Sequence, residues 1–281
     1  MRFREKVYVF FTALAVLIIV GLLFYIIFDI VKNGIRVISW EFISQPPREG
    51  MTKGGIFPAL YGTLLRTLLM LIFVVPVGVF TAVYLNEYGS GKNFSKWIRL
   101  AINNLASIPS IVFGLFGLGF FVLFLRLGAG LLSSALTVGL LTLPLVVVST
   151  EEALKAVPNS YREAGFALGA TKWQVIRMIV LPQALPGILT GAILSVGRGM
   201  GEVAPILFTG VAYYLPYLPS SVFDQFMDLG YHIYIMTTQS FNVELTKPIQ
   251  YGSTLVLLIL TFSLNIIAIL IRSKMRRGRL G

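Results

Sequence analysis

The chain has 281 residues, 56% of them hydrophobic and 12% charged, with a net charge of +11 and a mean hydropathy of +0.83. These proportions lie outside the range of soluble globular domains and indicate an integral membrane protein. Cysteine is absent and histidine occurs once, at His232. That excludes disulfides, thiolate metal sites and cysteine nucleophiles, and leaves little for histidine-based metal or acid–base chemistry.

The basic start MRFREK precedes a first apolar run at 7–28, as in a signal peptide. The run is too long for an h-region and no small-residue cleavage site follows, so it reads as a retained membrane helix. Runs at 60–84, 98–125, 131–150, 184–210 and 251–271 are also long and apolar enough to cross a bilayer. The expected fold class is therefore an all-α membrane protein with six transmembrane helices. Its parts are an N-terminal helix and outer loop at 1–59, a transmembrane domain at 60–271 and a basic tail at 272–281.

Arg66, near the outer end of the second span, is expected to snorkel to the interface. Pro76 and Pro144 are expected to kink their helices. The turn YGSGKN at 88–93 falls short of a phosphate-binding P-loop, which needs glycine where Asn86 stands and Ser or Thr where Asn93 stands. No segment is left to build a nucleotide-binding fold. Around Pro109, the side chains of Asn103, Asn104, Ser107 and Ser110 can hydrogen-bond a passing anion or join helices. In the last outer loop, Asp224 and Asp228 are expected to be solvated and His232 to be a structural hydrogen-bonding residue.

Basic residues orient the spans. One side holds fifteen: Arg2, Arg4 and Lys6; Lys92, Lys96 and Arg99; Lys155, Arg162, Lys172 and Arg177; and five in the tail RSKMRRGR. The other holds six: Lys32, Arg36, Arg48, Lys53, Arg126 and Lys247. Both termini are therefore expected in the cytoplasm. The positive charge faces anionic membrane lipid and requires no nucleic acid.

The basic side carries the loop EEALKAVPNSYREAGFALGATKWQVIRMIVLP at 151–182. Pro158 ends the fourth span, Ser160 and Glu163 read as a capping box for a new helix, and Gly169 ends it. Thr171 and Gln174 form a second box, starting a helix with Trp173, Ile176 and Ile179/Val180 on one face, which Pro182 ends. From pattern alone, this pair is either an amphipathic hairpin on the membrane surface or a rigid docking element.

The series Glu163-Ala164-Gly165, three residues, Gly169, nine residues, Ile179-Val180-Leu181-Pro182 resembles the EAA loop of bacterial ABC importer permeases, with Gly165 where the pattern has alanine. The resemblance implies an ABC importer permease fold whose cytoplasmic coupling loop docks on an ATPase, with Glu163, Ala164, Gly165, Gly169, Ala170 and Thr171 as coupling residues. It narrows to the phosphate permeases, and to the PstA branch over its sister PstC, at 103–121, 169–207 and 232–240. This implies a multi-pass protein of the bacterial plasma (inner) membrane and no enzyme activity in this chain. The implied partners are a second permease subunit, an ATP-binding subunit dimer carrying ATP and Mg, an extracytoplasmic phosphate-binding protein and inorganic phosphate. Permeases for molybdate or sulfate remain an alternative. An intramembrane hydrolase would need a nucleophile–base arrangement that is not visible, and a passive anion channel would not need the loop.

Within GRGMGEVAP, 197–205, Arg198 sits near the middle of the expected fifth span, where a charge is costly and must face protein or water. Glu202, four residues on, shares its face. Two readings stand: a packing salt bridge, or a guanidinium fork offered to phosphate with Glu202 orienting it.

Overall fold

A chain segment in hydrocarbon must satisfy its own backbone hydrogen bonds, and long apolar runs do so as helices. The computed structural model describes residues 3–89, 91–240 and 242–277. Among them, five helices are long and apolar enough to span a membrane: Tyr8–Gly34, Phe57–Tyr88, Leu131–Lys155, Lys172–Met200 and Val243–Lys274. In chain order the elements are α1 (Phe3–Gly34), α2 (Trp40–Ser44), the strands β1 (Pro47–Arg48) and β2 (Lys53–Gly54), α3 (Phe57–Val83), α4 (Asn93–Ser107) and α5 (Ser110–Gly117). There follow α6 (Leu131–Lys155), α7 (Asn159–Ala167), α8 (Lys172–Val175), α9 (Leu181–Met200), α10 (Leu229–Thr238) and α11 (Val243–Arg277). α11 thus carries the expected tail segment on as helix, and residues 278–281 lie outside the described residues.

The third expected span is not one straight helix. α4 and α5 are bent by 110° at Ile108-Pro109. Proline cannot donate an amide hydrogen and forces the preceding residue into extended backbone, and Ile108 has φ −75° and ψ 133°. Beyond α5 a π-turn, Leu118–Phe124, completes the segment.

The fifth expected span is displaced. α8, a π-turn at Ile176–Val180 and α9 run on as one span, which begins inside the coupling loop and ends at Met200. Pro182 does not stop it, because proline falls in the first turn of α9, directly after the wide π-turn, where a missing N–H costs little. Residues 201–210 form turns.

α6 is the central helix, with 67% of its most apolar window buried, and it packs against α3 and α9. α1 has none of its window buried and leans on α11. Among the described residues, three apolar clusters lie along the bundle. Val83, Leu85, Ile102, Val147, Leu154, Val175 and Val180 fill the end bearing α7 and α8. Met70, Val74, Val138, Val146 and Ile206 fill the middle. Phe42, Ile56, Met227, Leu229, Ile235 and Met236 close the end bearing α10.

Candidate functional site

Two regions carry the expected functional residues, one at each end of α9. At the first, α7 begins at Asn159 with Pro158 in the cap position and no side-chain cap, so the expected box at Ser160 and Glu163 does not form. Proline's fixed φ starts the helix two residues early and leaves Ser160 inside the first turn. α7 ends in a Schellman arrangement: Ala170 N–H donates to Gly165 O (3.2 Å), Gly169 N–H donates to Phe166 O (2.9 Å), and Gly169 has φ +79°. The second box is present. Gln174 N–H donates to Thr171 Oγ1 at 3.4 Å and Thr171 N–H to Gln174 Oε1 at 2.7 Å.

Gly165 is buried, and a Cβ there would lie 2.8 Å from both Ile179 Cδ1 and Val175 Cγ2, so the glycine lets α7 close onto the helix that follows it. The buried face of that helix is Val175, Ile176 and Val180, whereas Trp173 points outward. Glu163 and Ala164 are exposed, and so are the apolar side chains of Tyr161, Phe166, Trp173, Met178 and Leu168, the last 88% exposed.

The pair is tied to the end of α3. There the chain widens into a π-turn, Tyr84–Tyr88. Glu87 Oε1 accepts from Arg162 Nη2 at 2.8 Å, and Arg162 also donates to the carbonyls of Leu154 (2.9 Å) and Val157 (2.8 Å) at the end of α6. Lys172 Nζ donates to Glu87 O and lies 4.7 Å from the Tyr88 ring centroid. Alongside, Glu151 of α6 pairs with Arg99 of α4 and, at 3.1 Å, with Lys155.

At the second region Arg198 is in the last turn of α9, not mid-span, and Glu202 is in the turn beyond. Gly197, Gly199 and Gly201 bring the helix to its end there, so the charges stand at a helix terminus and not within a continuous apolar helix. Arg198 Nε donates to Glu202 Oε1 at 3.4 Å, with side-chain exposures of 39% and 19%. Nη1 and Nη2 of Arg198 make no hydrogen bond among the described residues. The 201–210 turns seat on α5, since a Cβ at Gly114 would lie 2.9 Å from Ala204 O. Asn265 of α11 faces Gly197, its Oδ1 buried and unpartnered. Asn103, Asn104 and Ser107 are exposed on α4 and Ser110 is half-buried on α5, so the bend divides them between two helices. No hydrogen bond among the described residues joins them to Arg198 or Glu202.

Sequence reasoning missed the cluster that holds this terminus. Arg66 does not snorkel. It is 0% exposed, with Nε and Nη2 each 3.0 Å from Asp228 Oδ2 and Nη1 donating to Gly199 O at 3.0 Å. Asp228 is not solvated either. Its Oδ1 accepts from Gly230 N–H (3.0 Å) and Tyr231 N–H (3.4 Å), capping α10, while Thr63 Oγ1 lies 3.1 Å from Oδ2 and accepts from Leu229 N–H at 2.8 Å. The local signal was Asp228 two residues before Gly230 at a helix start; its partner, 162 residues away, leaves no local trace. Nor does the His232 ring hydrogen-bond. Both ring nitrogens are buried without a partner, and burial pushes its pKa down to about 4. Asp224 accepts from the Ser220 hydroxyl (2.8 Å) and from the N–H groups of Ser221 and Ser220, which hold its carboxyl below the usual carboxylate range.

Residues 74–277 match the family described as binding-protein-dependent transport system inner membrane component. The chain belongs to that family. It is a multi-pass permease component of an inner membrane. The probable ABC transporter permease protein YqgI of Bacillus subtilis (strain 168) is 33% identical over 267 residues, covering 91% of this chain and 89% of the relative. The phosphate transport system permease protein PstA 1 of Mycobacterium tuberculosis (strain ATCC 25618 / H37Rv) is 38% identical over 227 residues, covering 80% and 72%. The crystal structure of a bacterial ABC transporter involved in the import of the acidic polysaccharide alginate shares the fold, with a TM-score of 0.66 and 14% identity over 96% of each chain.

Proposed function

We propose that this chain is the PstA-type permease subunit of an ATP-driven phosphate importer, with Arg198 as the residue that meets the anion. The observation that carries the reading is the state of that guanidinium. Glu202 hydrogen-bonds Nε alone, so both terminal nitrogens keep their N–H groups for the two-pronged contact with phosphate oxygens that arginine makes and lysine does not. Glu202 keeps the empty site from being a bare cation, and Arg66 fixes the neighbouring carbonyl of Gly199. Relatives named as phosphate transport permeases support phosphate over other oxyanions.

In this reading a second, PstC-like permease completes the path beside α4 and α5, where Asn103, Asn104, Ser107 and Ser110 contribute hydrogen bonds. A PstB-like ATPase dimer, carrying ATP and Mg, docks on the exposed surface around Glu163, Ala164 and Leu168, and a PstS-like binding protein delivers phosphate outside. Both termini and the α7–α8 pair are cytoplasmic, as the fifteen-to-six distribution of basic residues supports.

The test is radiolabelled phosphate uptake by the assembled complex in vesicles. Arg198→Lys is expected to assemble normally and transport poorly. The double variant Arg198→Ala with Glu202→Gln removes both charges together, so a pair that only packs would lose little. A translocation residue predicts an assembled complex that fails to move phosphate. Near-normal uptake by the double variant would overturn the assignment.

A further inference from the structure

Gly89, Gly91 and Lys92, from the stretch that lacks the residues of a P-loop, border a pocket of about 330 Å³ that the transport reading leaves unused. Gly89, Gly91, Lys92, Ser95, Lys96 and Arg99 line it. α4 begins here with Lys92 in the cap position, and no side chain caps the helix, so its first N–H groups present the positive end of the helix dipole. Lys92 and Lys96 stand one helical turn apart and form no ion pair among the described residues. Arg99, a further turn on, gives part of its guanidinium to Glu151 and is still 43% exposed.

One buried group singles the pocket out. Ser95 is 4% exposed and its Oγ has no hydrogen-bond partner. A serine hydroxyl near a helix start ordinarily finds a backbone partner, and a buried one left unpaired is unfavourable unless a ligand completes it. The hydroxyl lies where Gly89 has no side chain: a Cβ there would come 2.3 Å from it. An uncapped helix start, a buried unpaired donor and two unpaired lysines on one face together make a site for a tetrahedral oxyanion.

We infer that this pocket binds a phosphate group, from free inorganic phosphate or from an anionic lipid headgroup. Leu85 and Asn86 also line it, next in sequence to Glu87, whose carbonyl accepts from Lys172, so the occupant lies near the anchor of the α7–α8 pair. The inference is independent of the transport reading, because Arg198 and Glu202 lie at the opposite end of α9.

The experiment uses the full chain with Trp40→Phe and Trp173→Phe, leaving Trp97, beside Lys96, as the sole tryptophan and a local reporter. In one arm, inorganic phosphate is titrated into phosphatidylcholine nanodiscs at low ionic strength, with chloride as control and equilibrium binding of radiolabelled phosphate in parallel. In the other, nanodiscs contain phosphatidylglycerol, and retained lipid is counted by native mass spectrometry. Lys92→Gln with Lys96→Gln is expected to weaken saturable binding by tenfold or more in one arm, because charge-assisted hydrogen bonds are lost. Ser95→Ala, which leaves the charges in place, is expected to weaken it several-fold. Response to phosphate assigns a free-anion site, and variant-sensitive retention of phosphatidylglycerol assigns a headgroup site. Binding unchanged in both variants, absent in both arms, or reproduced by chloride would overturn the inference.

Discussion

The buried pair of Arg66 and Asp228 makes a sharp test of how the end of α9 is held. Both side chains are 0% exposed, and the pair joins α3, the last turn of α9 and the start of α10. Arg66→Met keeps bulk but strands a carboxylate whose remaining partners are two N–H groups and Thr63. Breaking a buried pair by removing one partner costs about 3–5 kcal/mol, whereas removing both charges is close to neutral. Asp228→Asn retains the cap on α10, so the double variant Arg66→Met with Asp228→Asn is expected to recover most of the loss. Hydrogen exchange read by mass spectrometry over 197–205 and 229–238 measures it locally. Because each ~1.4 kcal/mol is a tenfold change in an opening equilibrium, the single variant should exchange roughly a hundredfold faster or more. Phosphate uptake should fall with it, although Arg66 touches no substrate in this reading. A single variant within about 1 kcal/mol of wild type, or no more perturbed than the double, would refute the argument.

Gly169 has φ +79° and open space around its α-carbon, so substitutions there meet backbone strain without clash. Uptake should fall in the order Gly, Asn, Ala, Val, with Gly169→Ala costing about 1–2 kcal/mol in loop stability, and normal uptake with Gly169→Val would remove the coupling role. His232 is held neutral by burial, at about 4 against an ordinary 6.5, so the unfolded chain takes up its proton first as pH falls. Its contribution is intact above pH 6.5 and is lost between 6.5 and about 4, roughly 3 kcal/mol over that window; thermal unfolding across this range should show a steep slope that His232→Leu flattens. Single cysteines at Asp224 and Lys172, in a chain with none, should react with an impermeant reagent in intact cells at 224 only, and the reverse pattern would invert the proposed orientation.

What the sequence disclosed was governed by local chemistry. Apolar length marked the spans, the Thr171–Gln174 box marked the start of α8, and Gly169 marked the end of α7, because each depends on neighbours within a turn. Hydropathy averages over the features that were misplaced. It saw one run at 98–125 and could not weigh Pro109, and it carried the fifth span past three glycines because residues 201–210 are apolar although they form turns. Pro182 misled in the opposite direction, since the π-turn that accommodates it has no composition of its own. For the candidate site, Arg198 and Glu202 were visible as costly charges, while Arg66 and Asp228 each looked ordinary until folding placed them 3.0 Å apart.

α3 together with its π-turn is a 32-residue strut fastened near both ends. Glu87 is gripped by Arg162 and Lys172, and Arg66 grips Gly199 O and Asp228. Between them Gly78 bears directly on Val146 of α6, so close that a Cβ at Gly78 would lie 2.6 Å from the valine. If α3 tilts rigidly about that contact, it works as a see-saw on the central helix. At 1.5 Å per residue the anchors are ~30 Å apart, and a tilt of about 4° moves each by roughly 1 Å, in opposite directions. In the proposed transport reading, a displacement of the α7–α8 pair would then reach the carbonyl next to Arg198 reversed in sense.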